Sequence, residues 1–112
     1  MRPSKQTIIV TMRAVGFHRW PDAPAEVAYL ALNHRHEFHL RVEAVVSHGD
    51  RELEFHMLKR VVRELWDVEI EWGAMSCEHI AIRLADQLEE RGKKVSAVEV
   101  FEDGECGARV EF

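Results

Sequence analysis

Two cysteines, Cys77 and Cys106, are too few for a disulfide framework, and the chain reads as a reduced, cytoplasmic protein. No apolar run approaches the length needed to span a membrane. The N-terminal Met-Arg-Pro-Ser-Lys-Gln leads into an apolar stretch too short for a signal-peptide core. Basic residues are in the minority: 15 Lys and Arg against 20 Asp and Glu leave a formal charge of -5. They are also scattered, which excludes a general nucleic-acid binder, since phosphate neutralisation needs clustered cations. Internal repeats, low-complexity tracts and linkers are missing too, so residues 1–112 are expected to form a single domain.

What remains is an ordinary globular mixture, 46% hydrophobic and 31% charged. Gln6 to Arg13, rich in Ile, Val and Thr, favours a strand running towards His18. Pro21 to Pro24 breaks it with a loop. From His34 to Val46 the residues alternate, with His34, His36, Phe38, Leu40 and Val42 on one side and Arg35, Glu37, His39, Arg41 and Glu43 on the other. That is a strand with one dry face. Phe55, Leu58, Val61, Val62 and Leu65 make the apolar stripe of a helix from about Glu54 to Trp66. A second helix is expected from Cys77 to Arg91, with Ser76 as its N-cap and Gly92 as its stop. Val68 to Trp72 reads as a loop or a minor strand. Val95 to Phe101 and Ala108 to Phe112 read as a closing hairpin around Asp103, Gly104 and Gly107.

The expected order is therefore ββααββ, an α+β fold in which two helices cover one face of a four-stranded antiparallel sheet. The other face must be wet or packed against a second subunit.

The chemistry concentrates at His34-x-His36, with His18 sixteen residues upstream of the first. Alternate strand residues share a face, so two imidazoles two apart reach one ion, and a third from a neighbouring strand completes the set. Three histidines with one position open describe a catalytic zinc site better than a closed structural one. The plain alternative is a pair of strand histidines satisfied by solvent. His39 and His48 read as surface histidines. A cupin barrel also uses His-x-His, but it needs a glutamate four or five residues on, where Leu40 and Arg41 stand, and more strands.

Several segments in register resemble the 6-pyruvoyl-tetrahydropterin synthases and the bacterial 6-carboxytetrahydropterin synthases. These are Gly16-Phe17-His18-Arg19, Asn33-His34-Arg35-His36-Glu37-Phe38, Glu54-Phe55-His56-Met57-Leu58-Lys59, Ser76-Cys77-Glu78-His79-Ile80-Ala81 and Val98-Glu99-Val100-Phe101-Glu102-Asp103. The resemblance implies the tunnelling fold (T-fold), with Zn2+ on His18, His34 and His36. It implies that Glu102 accepts hydrogen bonds from the amino-pyrimidine edge of a pterin, a charge-assisted bidentate contact. Glu78 and Ser76 would lie beside the same pocket. It also implies a homo-oligomer, trimeric or hexameric, with sites at subunit boundaries.

The chain departs from that family at its proton machinery. Tyr29 to Asn33 holds no cysteine where the family carries its catalytic one, and Trp66 to Met75 holds no Asp-His pair. The catalytic residues are therefore unassigned; Glu37, His56, Cys77 and His79 are the replacements on offer, and Cys77 at a helix N-terminus would have a lowered pKa. Two functions follow. The first is a zinc-dependent pterin lyase acting on 7,8-dihydroneopterin triphosphate or a relative, feeding 7-deazaguanine (queuosine) synthesis. The second is a degenerate metal-containing module that binds a pterin or guanine-like ligand without turnover.

Overall fold

The structure, a computed structural model, describes residues 1–112. Two long strands, Gln6–His18 (β1) and His34–Val46 (β2), run antiparallel in unbroken register from Gln6 opposite Val46 to His18 opposite His34. β1 thus continues past Arg13. Local β propensity fades at Ala14 and Gly16, but pairing with β2 carries the strand on to His18. The connection holds a 3-10 helix, Ala25–Ala31, behind Pro24. It buries no residue, so no apolar pattern marks it in the sequence.

Helix α1, Phe55–Leu65, starts behind Glu54, whose carboxylate accepts from the His56 and Met57 N–H groups at 3.0 and 3.1 Å. A two-residue strand β3, Ile70–Glu71, then pairs in parallel with Gly16 and Phe17 of β1. Helix α2, Cys77–Glu90, is capped by Ser76, which accepts from the His79 N–H at 3.2 Å, and it ends before Gly92 at φ +78. Strands β4, Val95–Glu102, and β5, Cys106–Glu111, close the chain as a hairpin turning at Asp103 and Gly104. Gly107 lies within β5 rather than in the turn. It faces Phe101, and a side chain there would collide with the Val100 carbonyl.

The sheet is therefore five-stranded and mixed, in the order β3-β1-β2-β4-β5, and not the four-stranded antiparallel sheet expected. The difference is β3 alone. Two residues are too few to show an alternation, and their parallel pairing depends on a partner far back in the chain.

Both α-helices lie on one sheet face. Leu58, Val62 and Trp66 of α1 and its end, with Ile80, Leu84 and Leu88 of α2, pack on Phe38, Leu40, Val42, Val98 and Val100. The opposite face carries charge instead. Arg109 reaches Glu43 and Glu99 at 2.7 Å each and Glu111 at 3.0 Å, and Arg41 adds a contact to Glu43 at 3.2 Å. With one face uncovered the molecule is long, 54 × 26 × 23 Å, and its radius of gyration of 15.4 Å exceeds the roughly 13 Å of a compact chain this size. No helix is long and apolar enough to cross a membrane.

Candidate metal centre

Strand register assembles the site. His18 stands directly opposite His34, His36 opposite Gly16, and Phe38 opposite Glu102. All four of His18, His34, His36 and Glu102 fall on the helix-bearing face, at the sheet end beyond the helices. Each offers a ligand atom, and these atoms lie within 4.8 Å of one another. Phe38, fully buried, forms the floor: the His18 and His36 rings meet it edge-on at 5.3 and 5.6 Å, and Trp66 backs it at 5.3 Å.

Hydrogen bonds fix which nitrogen of each ring faces the centre. His18 Nδ1 donates to the Met75 carbonyl at 3.0 Å and His34 Nδ1 to the Leu32 carbonyl at 2.9 Å. Carbonyl oxygens only accept, so both rings carry a proton on Nδ1 and turn Nε2 inward. His36 Nδ1 donates to Asp103 Oδ2 at 2.7 Å. That bond, with a second from the Glu37 N–H, holds the Asp103 carboxyl below the usual carboxylate range. Carbonyl or carboxylate behind the outer nitrogen is the usual support for a metal-binding imidazole.

The inner nitrogens converge on one carboxylate oxygen. Glu102 Oε2 lies 2.6 Å from His18 Nε2 and 3.1 Å from His36 Nε2. Despite that proximity His36 Nε2 is buried without a hydrogen-bond partner. Lone pairs facing a carboxylate repel unless a cation lies between them. A proton serves one nitrogen, whereas a metal ion serves all four ligand atoms. Three imidazoles and a carboxylate are a donor set that fits Zn2+.

A cavity of about 540 Å3 adjoins the cluster, bounded by His18, His34 and Glu102 and by Ser76, Glu78 and His79 at the start of α2. Its volume is that of a small-molecule site. A larger one, about 630 Å3, is lined by Arg13, Arg41 and Phe101 of the sheet and by Lys59 and Arg63 of α1, and includes no member of the cluster. The chemistry belongs to the first.

His18, His34, His36, Glu102, Ser76, Glu78, Cys77 and His79 stand at the cluster or its cavity. Glu37, which contacts His39, and His56, in the first turn of α1, belong to neither. Ser76 spends its hydroxyl on capping α2 while also lining the cavity, and Glu78 lines it from the first turn. Cys77 departs from expectation. Burial, then the Glu102 and Glu78 carboxylates, push its thiol up to about 12, against the lowering expected at a helix N-terminus. Asp103 was visible in the sequence only as a turn residue, and nothing local marks it as the partner of His36.

No protein-family model matches the chain, and no curated protein matches it. Among solved structures, it is similar to an uncharacterized protein from Wolinella succinogenes, with a TM-score of 0.74 at 15% identity over 97% of this chain and 99% of that one. It is also similar to the 6-pyruvoyl tetrahydropterin synthase of Caenorhabditis elegans, with a TM-score of 0.73 at 12% identity over 100% and 99%. The chain shares the fold of that synthase. At these identities the likeness is one of fold.

Proposed function

We propose that this protein is a zinc-dependent pterin lyase resembling 6-carboxytetrahydropterin synthase, acting on 7,8-dihydroneopterin triphosphate or a related pterin. The observation that carries this reading is the convergence of three inward-facing Nε2 atoms, one of them buried and unpartnered, beside a cavity of ligand size. His18, His34 and His36 hold the ion. Zn2+ there would act as a Lewis acid on the hydroxyls of the pterin side chain. Glu102 accepts the amino-pyrimidine edge, with Glu78 and Ser76 at the cavity wall. Glu78 and His79 line the cavity beside the cluster, with Cys77 and Cys106, and are the proton carriers to examine first. Assembly into a homo-oligomer, a trimer or hexamer, would cover the charged sheet face and the β1 edge that β3 leaves unpaired from Gln6 to Val15.

A second reading, a binding module without turnover, is favoured by one observation. The Cys77 thiol at the cavity wall is buried and pushed up to about 12, so this cysteine offers no ready thiolate base. Zinc-loaded protein incubated with 7,8-dihydroneopterin triphosphate separates the two. Product supports the lyase, and pterin fluorescence quenching without product supports the module. Neither signal contradicts both.

A further inference from the structure

We propose that Glu102 is a fourth metal ligand that closes the site at rest and leaves it when a ligand enters the cavity. This rests on the metal reading above and adds a gate to it.

Glu102 Oε2 stands among the inward nitrogens, 2.6 Å from one and 3.1 Å from another, rather than pointing into the cavity. Against two inward nitrogens a carboxylate is held by a cation between them: a proton holds it to one, a metal ion to both. Its other oxygen, Oε1, takes no hydrogen bond from the protein, and the side chain is 28% exposed, so a path towards the cavity is open.

The backbone beside it does not have that freedom. Asp103 follows at φ 54 and Gly104 at φ 72, and the Asp103 N–H donates to the Glu37 carbonyl at 2.8 Å. Asp103 is also tied through both carboxylate oxygens, to His36 and to the Glu37 N–H. Any exchange therefore takes place by rotation of the Glu102 side chain, on a fixed Cα.

The two positions exclude each other. A carboxylate turned into the cavity to accept two parallel N–H donors with both oxygens carries Oε2 away from His18 and His36 Nε2, and so away from the metal site. With Glu102 in, the centre has four protein ligands, the closed arrangement of structural zinc. With Glu102 out it has three and one open position, the arrangement of catalytic zinc. A flat heterocycle bearing adjacent N–H donors thus opens the coordination position that its own side chain then uses. The empty protein stays inert.

Cobalt(II) titration of the apo protein tests this, with visible absorption reporting coordination and chelator competition reporting affinity. Wild type, Glu102→Gln and Glu102→Asp are compared, each with folding checked by circular dichroism. A ligand role predicts that Glu102→Gln and Glu102→Asp both change the Co2+ spectrum. Both should also lose more than the roughly 10–100-fold in affinity that follows loss of a second-shell partner. Glu102→Asp keeps the charge but not the reach, so a spectrum and affinity like wild type for that variant would overturn ligation and leave a charge effect. Adding neopterin to wild-type Co2+ protein should shift the spectrum towards that of Glu102→Gln; no shift overturns the gate. Wild type that binds no Co2+ would instead overturn the metal reading itself, and the gate with it.

Discussion

The Asp103 carboxylate holds His36 from behind, Oδ2 accepting from Nδ1 at 2.7 Å while Oδ1 accepts the Glu37 N–H at 3.0 Å. It thereby turns His36 Nε2 towards the cluster. Replacing Asp103 with Asn keeps a residue that tolerates the positive φ of this turn. With Oδ1 still bonded to Glu37, the amide NH2 meets a ring N–H, donor against donor. Asp103→Asn should therefore weaken metal binding by about 10–100-fold with the fold retained. Chelator competition on the two proteins checks this. Equal affinities would remove Asp103 from the site.

Gly16 lies opposite His36, where an added Cβ would come within 2.7 Å of Trp66 Cζ2 and 3.2 Å of the Phe38 ring. Trp66 cannot move aside cheaply: it is 2% exposed, and its Nε1–H donates to the Val15 carbonyl at 2.8 Å. Gly16→Ala should cost about 1–3 kcal/mol by overpacking and disturb the floor beneath His36. Urea unfolding measures the first effect. An unchanged midpoint would mean that Trp66 and Phe38 yield.

The two thiols should differ in reactivity. Cys106 is exposed, whereas Cys77 is buried and its thiol is raised to about 12. A thiol reagent at pH 8 should label Cys106 quickly and Cys77 only after denaturation, read by mass spectrometry. Rapid labelling of Cys77 in the folded protein would restore it as a candidate nucleophile.

Acid should weaken the uncovered sheet face. Glu43 is held below its usual 4.5 chiefly by its hydrogen bond to Arg109; burial opposes this, and Arg41 adds a smaller lowering effect. A carboxylate with a lowered folded pKa stabilises above the unfolded value, and that contribution is lost as pH falls from about 4.5 through the folded value. Glu43→Gln should thus destabilise the protein near pH 7 by roughly 1 kcal/mol, the scale of ion pairs whose arginine partners stay partly exposed. The difference from wild type should shrink towards pH 3. Thermal unfolding across this range measures it, and a constant difference would contradict the pairing.

Much of this was legible in the sequence where a pattern is local. The alternation of β2 was read from His34 to Val46 and is found there, because a strand with one dry face writes its period into successive residues. Ser76 and Gly92 marked the ends of α2 for the same reason, since caps act within one turn. What escaped depends on distant partners. β3 exists because Gly16 and Phe17 are alongside it, and the 3-10 helix has no buried face to betray it. The cluster shows the same division. The three histidines carry a spacing, whereas Glu102, 84 residues beyond His18, was named through the resemblance as a ligand anchor, and its place among the imidazoles depends on the β2–β4 register. Cys77 was misjudged because its position on α2 was visible and its burial was not.

The central claim is that His18, His34 and His36 bind an ion. Metal content by inductively coupled plasma mass spectrometry, on protein purified without added metal and on His34→Ala in parallel, tests it most directly. About one zinc per chain in the parent is predicted, with little or none in the variant. No metal in either protein, and none taken up on titration with Zn2+, would contradict the claim and leave the likeness to the pterin synthase as one of fold alone.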